Sequence, residues 1–329
     1  MHPYDHSHTR REFLAALSGV AAAVPLGAFA QERTGPLVRV IVPYSAGSGM
    51  DIIARLLSPK LQSRRNQAFI VENIPGASGN IGAEVVAKSA ADGHTIMVNT
   101  NTIVATPSLY AKLPFDVIRS FAPITMVAFS GMVLVVHKDV PVNNLDEFLA
   151  WVRSQPGKLN YGSPGIGTQQ HLAMELMKQQ AHFDIVHVPY KTSAPAYNDL
   201  IAGIVPTMFV PIHAAVRFQK AGRIKIIGCS LPERFPLFPD IPTLNEFGLK
   251  GFNVDLWYGV WAPAGTPANV LDKYNREIGD IVAQPDIRDA LANQGLVIKT
   301  GSRDEFARMI KADTDRWGKV IREARITAE

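Results

Sequence analysis

Residues 38–57 read VRVIVPYSAGSGMDIIARLL, and this stretch decides the fold. The β-branched, apolar run 38–42 is typical of a buried strand, which Pro43 ends. The glycine-rich loop 44–49 follows, and beyond it the apolar side chains between positions 52 and 57 recur at helical spacing. The stretch therefore predicts a strand, a tight loop and a helix.

This first glycine loop (44–49) is a candidate anion-binding site. A tight loop before a helix leaves backbone N–H groups unpaired at the helix N-terminus, where the helix dipole favours negative charge. Ser48 is a candidate N-cap, and Asp51 three positions later makes a variant of the capping box. The alternative is an ordinary connection whose glycines only permit the turn. The loop matches neither the phosphate-binding P-loop nor the GxGxxG motif.

The composition indicates a large chain without disulfides. Its 329 residues are 47% hydrophobic, which supports a sizeable core and favours two domains. The net charge of +4 comes without a basic block, which argues against a nucleic-acid partner and suits a small anionic ligand. Cys229 is the one cysteine, so an intrachain disulfide and a cysteine-rich metal site are excluded. Its apolar surroundings predict a buried thiol in a strand.

The N-terminus has the pattern of an export signal. The twin arginine at 10–11 precedes an apolar, alanine-rich stretch, 13–30, which ends in Ala-Phe-Ala before Gln31. The stretch is short for a membrane span and contains a proline, so a cleaved signal is the better interpretation. The arginine pair resembles a bacterial Tat signal. We therefore expect residues 1–30 to be removed between Ala30 and Gln31, and the mature protein to be periplasmic.

The strand, loop and helix arrangement recurs along the chain. A predicted strand at 68–73 leads into the small-residue loop 75–80 and then a helix. A further strand at 95–99 ends in the polar run 99–102. Because ligands of open α/β sheets bind at the carboxyl ends of strands, these loops are expected to share one site.

The second half of the chain repeats this arrangement. Apolar runs at 125–128 and 133–136 are predicted as strands that cross toward a second domain. A short strand at 159–162 is followed by the second glycine loop (163–168) and then a helix. His171 lies in the first turn of that helix, and two interpretations stay open. Its side chain either packs against the loop or faces a ligand.

The rest of the chain continues the alternation. Further strands are predicted at 185–190, 205–210, 224–229 and 257–261, and further helices at 145–153, 196–202, 212–221, 268–283, 286–294 and 304–324. The aromatic strand with Trp257 and Trp261 is either core packing or a ligand wall. The pattern predicts an α/β fold with domain 1 at 31–133 plus 229–329 and domain 2 at 134–228.

Several motifs are specific in combination. They are Ile-Val-Pro-Tyr at 41–44 with Gly47 and Asp51, Val-Glu-Asn at 71–73 with Pro-Gly-Ala-Ser-Gly-Asn-Ile-Gly at 75–82, Asp-Gly at 92–93, Phe-Ala-Pro at 121–123, Pro-Gly-Lys-Leu-Asn-Tyr-Gly-Ser at 156–163, His-Val-Pro-Tyr-Lys at 187–191 and Ala-Pro-Ala-Gly-Thr-Pro at 262–267. With them, residues 36–324 resemble the periplasmic substrate-binding proteins of tripartite tricarboxylate transporters, also called Bug proteins.

The resemblance implies a type II periplasmic-binding-protein fold, with two α/β domains and a ligand cleft between them. It implies a small carboxylate ligand, no cofactor, no metal and no catalysis. The implied partners are the transporter's integral membrane subunits, and the binding protein is expected to be a monomer. Ligand contacts are expected from the two glycine loops and the neighbouring strand ends. The candidates are Tyr44, Ser45, Ala46, Gly47, Ser48, Gly49, Asp51, Ala77, Ser78, Asn99, Asn101, Ser163, Pro164, Gly165, Gly167, Thr168, His171 and Val210.

Three positions depart from the family pattern. Ser48 replaces the usual second glycine, Ile74 replaces an arginine, and Val210 stands where many relatives have aspartate. Val210 therefore predicts a preference for carboxylates that lack an ammonium group.

The competing hypothesis is a Tat-exported enzyme that acts on a small anionic substrate. Against it, the sequence has no GxSxG, no HExxH and no paired His/Cys metal spacing. A regulator that senses an effector is a third hypothesis. It conflicts with the export signal and with the absence of a DNA-binding segment.

Overall fold

The strand, loop and helix predicted at the start of the chain are present. β1 spans Val38–Val42 and α1 spans Gly49–Arg65. Ser48 is the N-cap of α1, and its hydroxyl accepts a hydrogen bond from the backbone N–H of Asp51 at 3.4 Å. The capping role predicted for Ser48 is therefore confirmed. The computed structural model describes residues 35–328, so the predicted signal peptide and its cleavage site lie outside the described residues.

The other elements alternate along the chain. The strands are β2 (Phe69–Asn73), β3 (Thr95–Thr100), β4 (Phe121–His137), β5 (Asn160–Ser163), β6 (Val186–Pro189), β7 (Thr207–Pro211), β8 (Ile224–Cys229), β9 (Asp255–Pro263) and β10 (Val297–Ile298). The helices are α2 (Asn80–Ala87), α3 (Thr102–Leu109), α4 (Leu145–Arg153), α5 (Gln169–Ala181), α6 (Ser193–Ala202), α7 (Ile212–Lys220), α8 (Ala268–Val282), α9 (Pro285–Asn293) and α10 (Arg303–Glu323).

The strands form two mixed sheets joined by β4. In the first, β1 lies between β2 and β3 in parallel pairing, and β9 runs antiparallel to both β3 and β4. In the second, β7 and β8 run antiparallel to β4, while β5 is parallel to β6 and β7. The hydrogen-bonded order is β2-β1-β3-β9-β4-β7-β5-β6. Parallel strands joined through helices place the loops that precede those helices at one edge of each sheet.

β4 differs from the sequence prediction. The two strands expected at 125–128 and 133–136 are one continuous strand of 17 residues. Its first part pairs with β9 up to Gly131, and its second part pairs with β7 and β8 from Met132 onward. Backbone partners are thus present on both sides of the polar interruption at Ser130, which keeps the chain extended there. The strand crosses from one sheet to the other as predicted.

Aromatic side chains fill the space between the first sheet and the C-terminal helix. Trp257 and Trp261 on β9 both contact the ring of Phe306 on α10, with ring centroids 5.5 and 4.9 Å away. The Trp257 indole N–H donates to the carboxylate of Asp313 at 2.7 Å. The core interpretation of these two tryptophans is therefore the correct one. α10 also begins with a full capping box between Ser302 and Glu305.

Cys229 lies at the end of β8 and is fully buried, as the sequence predicts. Burial raises the pKa of its thiol to about 11. α3, by contrast, was not predicted. Its residues 102–106 are all buried, so the sequence shows no apolar stripe, and Pro107 lies within the helix. Among residues 35–328, no helix combines the length and apolar character that a membrane span requires.

Gly259 on β9 offers a test of this packing. A Cβ there would lie 2.1 Å from Cζ of Phe306, which the two tryptophans hold in place. We expect Gly259→Ala to lower the free energy of unfolding by about 1–3 kcal/mol, as overpacking of a core does. Gly279 in α8 is the matched control, because a Cβ there meets no atom within 4 Å. Gly279→Ala should stabilise the protein by about 0.5–1 kcal/mol. Urea unfolding of both variants decides, and an unchanged midpoint for Gly259→Ala would contradict the packing described here.

Candidate functional site

A cavity of about 460 Å³ lies where the sheet strands end. The residues that line it follow the carboxyl ends of β1, β2, β3, β5, β6 and β7 in turn, and β9 supplies two more. They are Tyr44, Ser45, Ala46, Gly47, Ser48, Gly49, Met50, Pro75, Gly76, Ser78, Gly79, Thr100, Thr102, Pro164, Thr168, Gln170, Lys191, Thr192, Ser193, Ala194, Tyr197, Pro211, His213, Ala214, Leu256 and Tyr258. Segments from both halves of the chain therefore enclose the same space.

Five helices begin at this cavity. Their N-cap residues, which all line it, are Ser48, Gly79, Thr168, Thr192 and Pro211. Only Ser48 among these five makes a side-chain capping bond, so the other four leave their first-turn N–H groups without that partner. Unpaired N–H groups and the positive ends of helix dipoles favour an anion in the space that they surround.

The charges of the lining reinforce this preference. Among the described residues that line the cavity, none is aspartate or glutamate, and Lys191 carries a positive charge. Burial, and next the charge of Arg217, lower the pKa of His213 to about 4, so its ring is neutral at pH 7. The walls consequently offer hydrogen-bond donors and one cation but no negative charge.

Three tyrosines give the cavity its aromatic surface. Burial raises the pKa of Tyr44, Tyr197 and Tyr258 above the ordinary phenol value, so all three hydroxyls keep their protons. Two glycines allow the rings to lie against helix N-termini. A Cβ at Gly49 would be 2.8 Å from the Tyr258 ring, and one at Gly79 would be 3.0 Å from the Tyr44 ring.

Asp51 holds the first glycine loop in shape from behind. Its carboxylate accepts the backbone N–H of Gly47 at 2.9 Å, the Nε of Arg55 at 3.0 Å and the amide of Asn73 at 3.0 Å. Burial raises the pKa of Asp51, but these hydrogen bonds outweigh it and the net pKa lies below the usual range. The ionised group thus holds the loop at the N–H of Gly47, one residue before the Ser48 N–H that a capping box would use, and it does not line the cavity.

Half of the predicted contact residues line the cavity. They are Tyr44, Ser45, Ala46, Gly47, Ser48, Gly49, Ser78, Pro164 and Thr168. The other half are not among the lining residues. They are Asp51, Ala77, Asn99, Asn101, Ser163, Gly165, Gly167, His171 and Val210.

The two asparagines at the end of β3 bond within the sheet. The side-chain oxygen of Asn99 accepts the N–H of Thr100 at 2.8 Å. The amide of Asn101, which is fully buried, donates to the carbonyl of Asp255 at 3.0 Å. Both side chains therefore bond to backbone groups of the sheet, and neither lines the cavity.

Two histidines brace the second glycine loop. His171 Nδ1 accepts the backbone N–H of Gly167 at 3.0 Å, and His187 Nε2 lies 2.7 Å from the hydroxyl of Ser163. The two imidazoles stack with centroids 3.8 Å apart. Burial lowers the pKa of both to about 3, so each ring is neutral at pH 7. Of the two interpretations of His171, the structure matches the side chain packed against the loop.

Val210 is fully buried in a hydrophobic cluster and pairs across the sheet with Val133. Its neighbour Pro211 lines the cavity instead. The strand end at β7 was therefore the right place, but the side chain one position earlier points into the core.

Sequence reasoning missed much of the far wall. Lys191 to Ala194 follow β6, and His213 and Ala214 follow β7. These positions also lie between the end of a strand and the first turn of the next helix. The strand, loop and helix pattern that selected the first glycine loop would therefore have selected them too. Tyr258 belongs to the aromatic strand 257–261, for which a ligand wall was the second interpretation, and its ring does line the cavity. Over residues 35–328, no group of three His, Cys, Asp or Glu side chains is placed to hold a metal ion.

The chain is similar to known proteins in sequence and in fold. The model of the tripartite tricarboxylate transporter family receptor matches residues 53–326. A UPF0065 protein from the tcbD-tcbE intergenic region of Pseudomonas sp. strain P51 is 36% identical over 317 residues, which cover 95% of this chain and 94% of that protein.

Three solved structures are similar along almost their whole length. The periplasmic binding protein BugD has a TM-score of 0.80 at 30% identity, covering 88% of this chain and 97% of its own. Rhodopseudomonas palustris Rpa4515 with adipate has a TM-score of 0.83 at 32% identity, covering 88% and 97%. MatC from the same organism, with bound malate, has a TM-score of 0.80 at 30% identity, covering 87% and 98%.

These likenesses confirm the periplasmic-binding-protein fold and the family that the motifs indicated. The chain belongs to the tripartite tricarboxylate transporter family receptors, the periplasmic solute-binding proteins that include the Bug proteins.

Proposed function

We propose that this protein captures a small carboxylate in the cavity and delivers it to the integral membrane subunits of a tripartite tricarboxylate-type transporter. The observation that carries the proposal is the set of five helix N-termini that begin at one cavity. Two of the solved relatives hold adipate and malate, which are both carboxylates. The membrane partnership rests on the family, and the twin-arginine segment supports export.

Contacts of this kind are strong enough to bind a carboxylate with micromolar affinity. A hydrogen bond from a backbone N–H to a carboxylate contributes about 1.5–3 kcal/mol. A helix dipole adds about 0.3–1 kcal/mol, and more when the charge is sheltered from water. Micromolar binding needs a net of about −8 kcal/mol, so several such contacts suffice after the entropy of association is subtracted.

We further propose that ligand brings two lobes together around β4. The lobes are those predicted from the sequence, 31–133 plus 229–329 against 134–228, with hinges near 128–133 and 229–231. β4 runs through the first of these hinges and pairs in both sheets, and β8 ends at the start of the second hinge. Ligand contacts come from the cavity-lining loops, above all the first glycine loop with Ser48 and the wall that begins at Lys191.

Ser48 allows a direct test of the anion site. Aspartate and asparagine are both good N-caps, so Ser48→Asp and Ser48→Asn should both fold. Only the first places a fixed negative charge at the cavity, where two like charges about 4 Å apart repel by roughly 4 kcal/mol. We expect Ser48→Asp to lose at least about a hundredfold in affinity for malate or adipate, and Ser48→Asn far less. Titration calorimetry measures both, and circular dichroism checks the fold. Equal affinities of the two variants would remove the first glycine loop from the site.

Ligand class follows from the lining. Malate carries a hydroxyl group where aspartate carries an ammonium group. Among the described residues that line the cavity, no carboxylate is present to pair with that ammonium. A buried charged donor left without a partner costs at least about 1–3 kcal/mol. We expect malate to bind tenfold to a hundredfold more tightly than aspartate, measured by calorimetry at pH 7. Tighter binding of aspartate would contradict the preference. The preference comes from these lining residues and not from Val210, whose side chain lies in the core.

A further inference from the structure

The segment 76–79 has an unusual backbone beside the cavity. Gly76, Ala77, Ser78 and Gly79 have φ angles of 134°, 46°, 53° and 95°. Residues with a Cβ rarely adopt positive φ, and such strain persists only where surrounding contacts hold it in place. Ala77 and Ser78 therefore need an explanation in the contacts of this segment.

Two hydrogen bonds hold Ser78. The hydroxyl of Tyr44 donates to the carbonyl of Ser78 at 2.9 Å. The hydroxyl of Ser78 donates to the carbonyl of Ile166 at 2.9 Å. Ile166 belongs to the second glycine loop, so this second bond joins the loop after β2 in one sheet to the loop after β5 in the other.

The contact between the two loops is close. A Cβ at Gly165 would lie 3.3 Å from the Ser78 hydroxyl and 3.4 Å from the carbonyl of Tyr190. Deeper inside, the amide of Gln169 donates to the carbonyl of Asn101 at 3.2 Å and makes a second bridge between the same two halves. The two sheets are thus tied together beside the cavity, with Ser78 and Pro164 both lining it.

We propose that Ser78 is a latch residue that holds the closed form and does not bind the ligand through its hydroxyl. A hydroxyl has one proton to donate, and that of Ser78 is already given to Ile166, so none remains for a carboxylate. When the lobes part, the bond breaks and the strained segment is free to relax. The latch rests on the proposed lobe closure and determines how long the ligand stays.

Two single substitutions separate the bond from the strain. Ser78→Ala removes the hydroxyl and keeps a residue with a Cβ at positive φ. Ala77→Gly relieves strain at the neighbouring position and keeps the hydroxyl, so it is the matched control. Loss of one net hydrogen bond corresponds to about a threefold to tenfold change. We expect Ser78→Ala to speed ligand release by that factor, equally for malate and adipate, and Ala77→Gly to release no faster than wild type.

A measurement without ligand tests the latch independently. The ligand-free protein exchanges between an open form and the latched closed form, and ligand shifts this equilibrium toward the closed form. Without ligand, hydrogen exchange at 163–168 should therefore rise in Ser78→Ala, which loses the latch of the closed form, and stay at or below the wild-type level in Ala77→Gly. A residue that only contacted ligand would leave this exchange unchanged. Unchanged exchange in Ser78→Ala, unchanged release, or faster release of one ligand only would overturn the latch.

Failure of the latch is distinguishable from failure of the proposed function. Small-angle scattering of wild type with malate or adipate should show a smaller radius of gyration than the ligand-free protein. If wild type binds and contracts while Ser78→Ala has the wild-type release rate and the wild-type hydrogen exchange, the proposed function stands and the latch is wrong. If exchange responds to Ser78→Ala but no carboxylate binds, the contact between the loops stands and the proposed function is wrong.

Discussion

Backbone N–H groups at the start of a helix have no partner within that helix, and the cavity depends on this constraint. Each parallel strand that ends here is followed by a short loop and a helix, so the topology brings several such starts to one place. Neighbouring glycines then let tyrosine rings close against the helix ends. The backbone thus supplies an uncharged surface of hydrogen-bond donors, so the binding of an anion requires few charged side chains.

This reliance on backbone explains what could be predicted from the sequence. Strand, loop and helix patterns depend on local residue types, so β1, α1 and the Ser48 cap were predictable. Asn99 and Asn101 were predicted at the site because polar groups at strand ends commonly bind ligands, and His171 because it lies in the first turn of the helix after the second glycine loop. Each side chain instead bonds to a backbone group, of Thr100, Asp255 and Gly167 respectively, and does not line the cavity. The spacing of residues in the sequence does not reveal such partners.

The buried Asp51 shows how a negative charge is tolerated close to an anion site. Three donors surround its carboxylate, and Arg55 supplies the opposite charge. The carboxylate is therefore compensated within its own loop and lies behind the backbone that the ligand would meet. Asp51, three residues after the N-cap, therefore stabilises the conformation of the loop, whereas the N-cap Ser48 lines the cavity.

The isolation of Cys229 has a practical consequence for studying this molecule. Its thiol is fully buried and, at a pKa of about 11, carries almost no thiolate at neutral pH. Alkylating dyes react with thiolates that they can reach, and the sequence contains no other cysteine. A new, exposed cysteine at the rim of the cavity would thus take up a fluorophore selectively in the otherwise natural chain. The protein is in this sense already a scaffold for an optical sensor of its ligand.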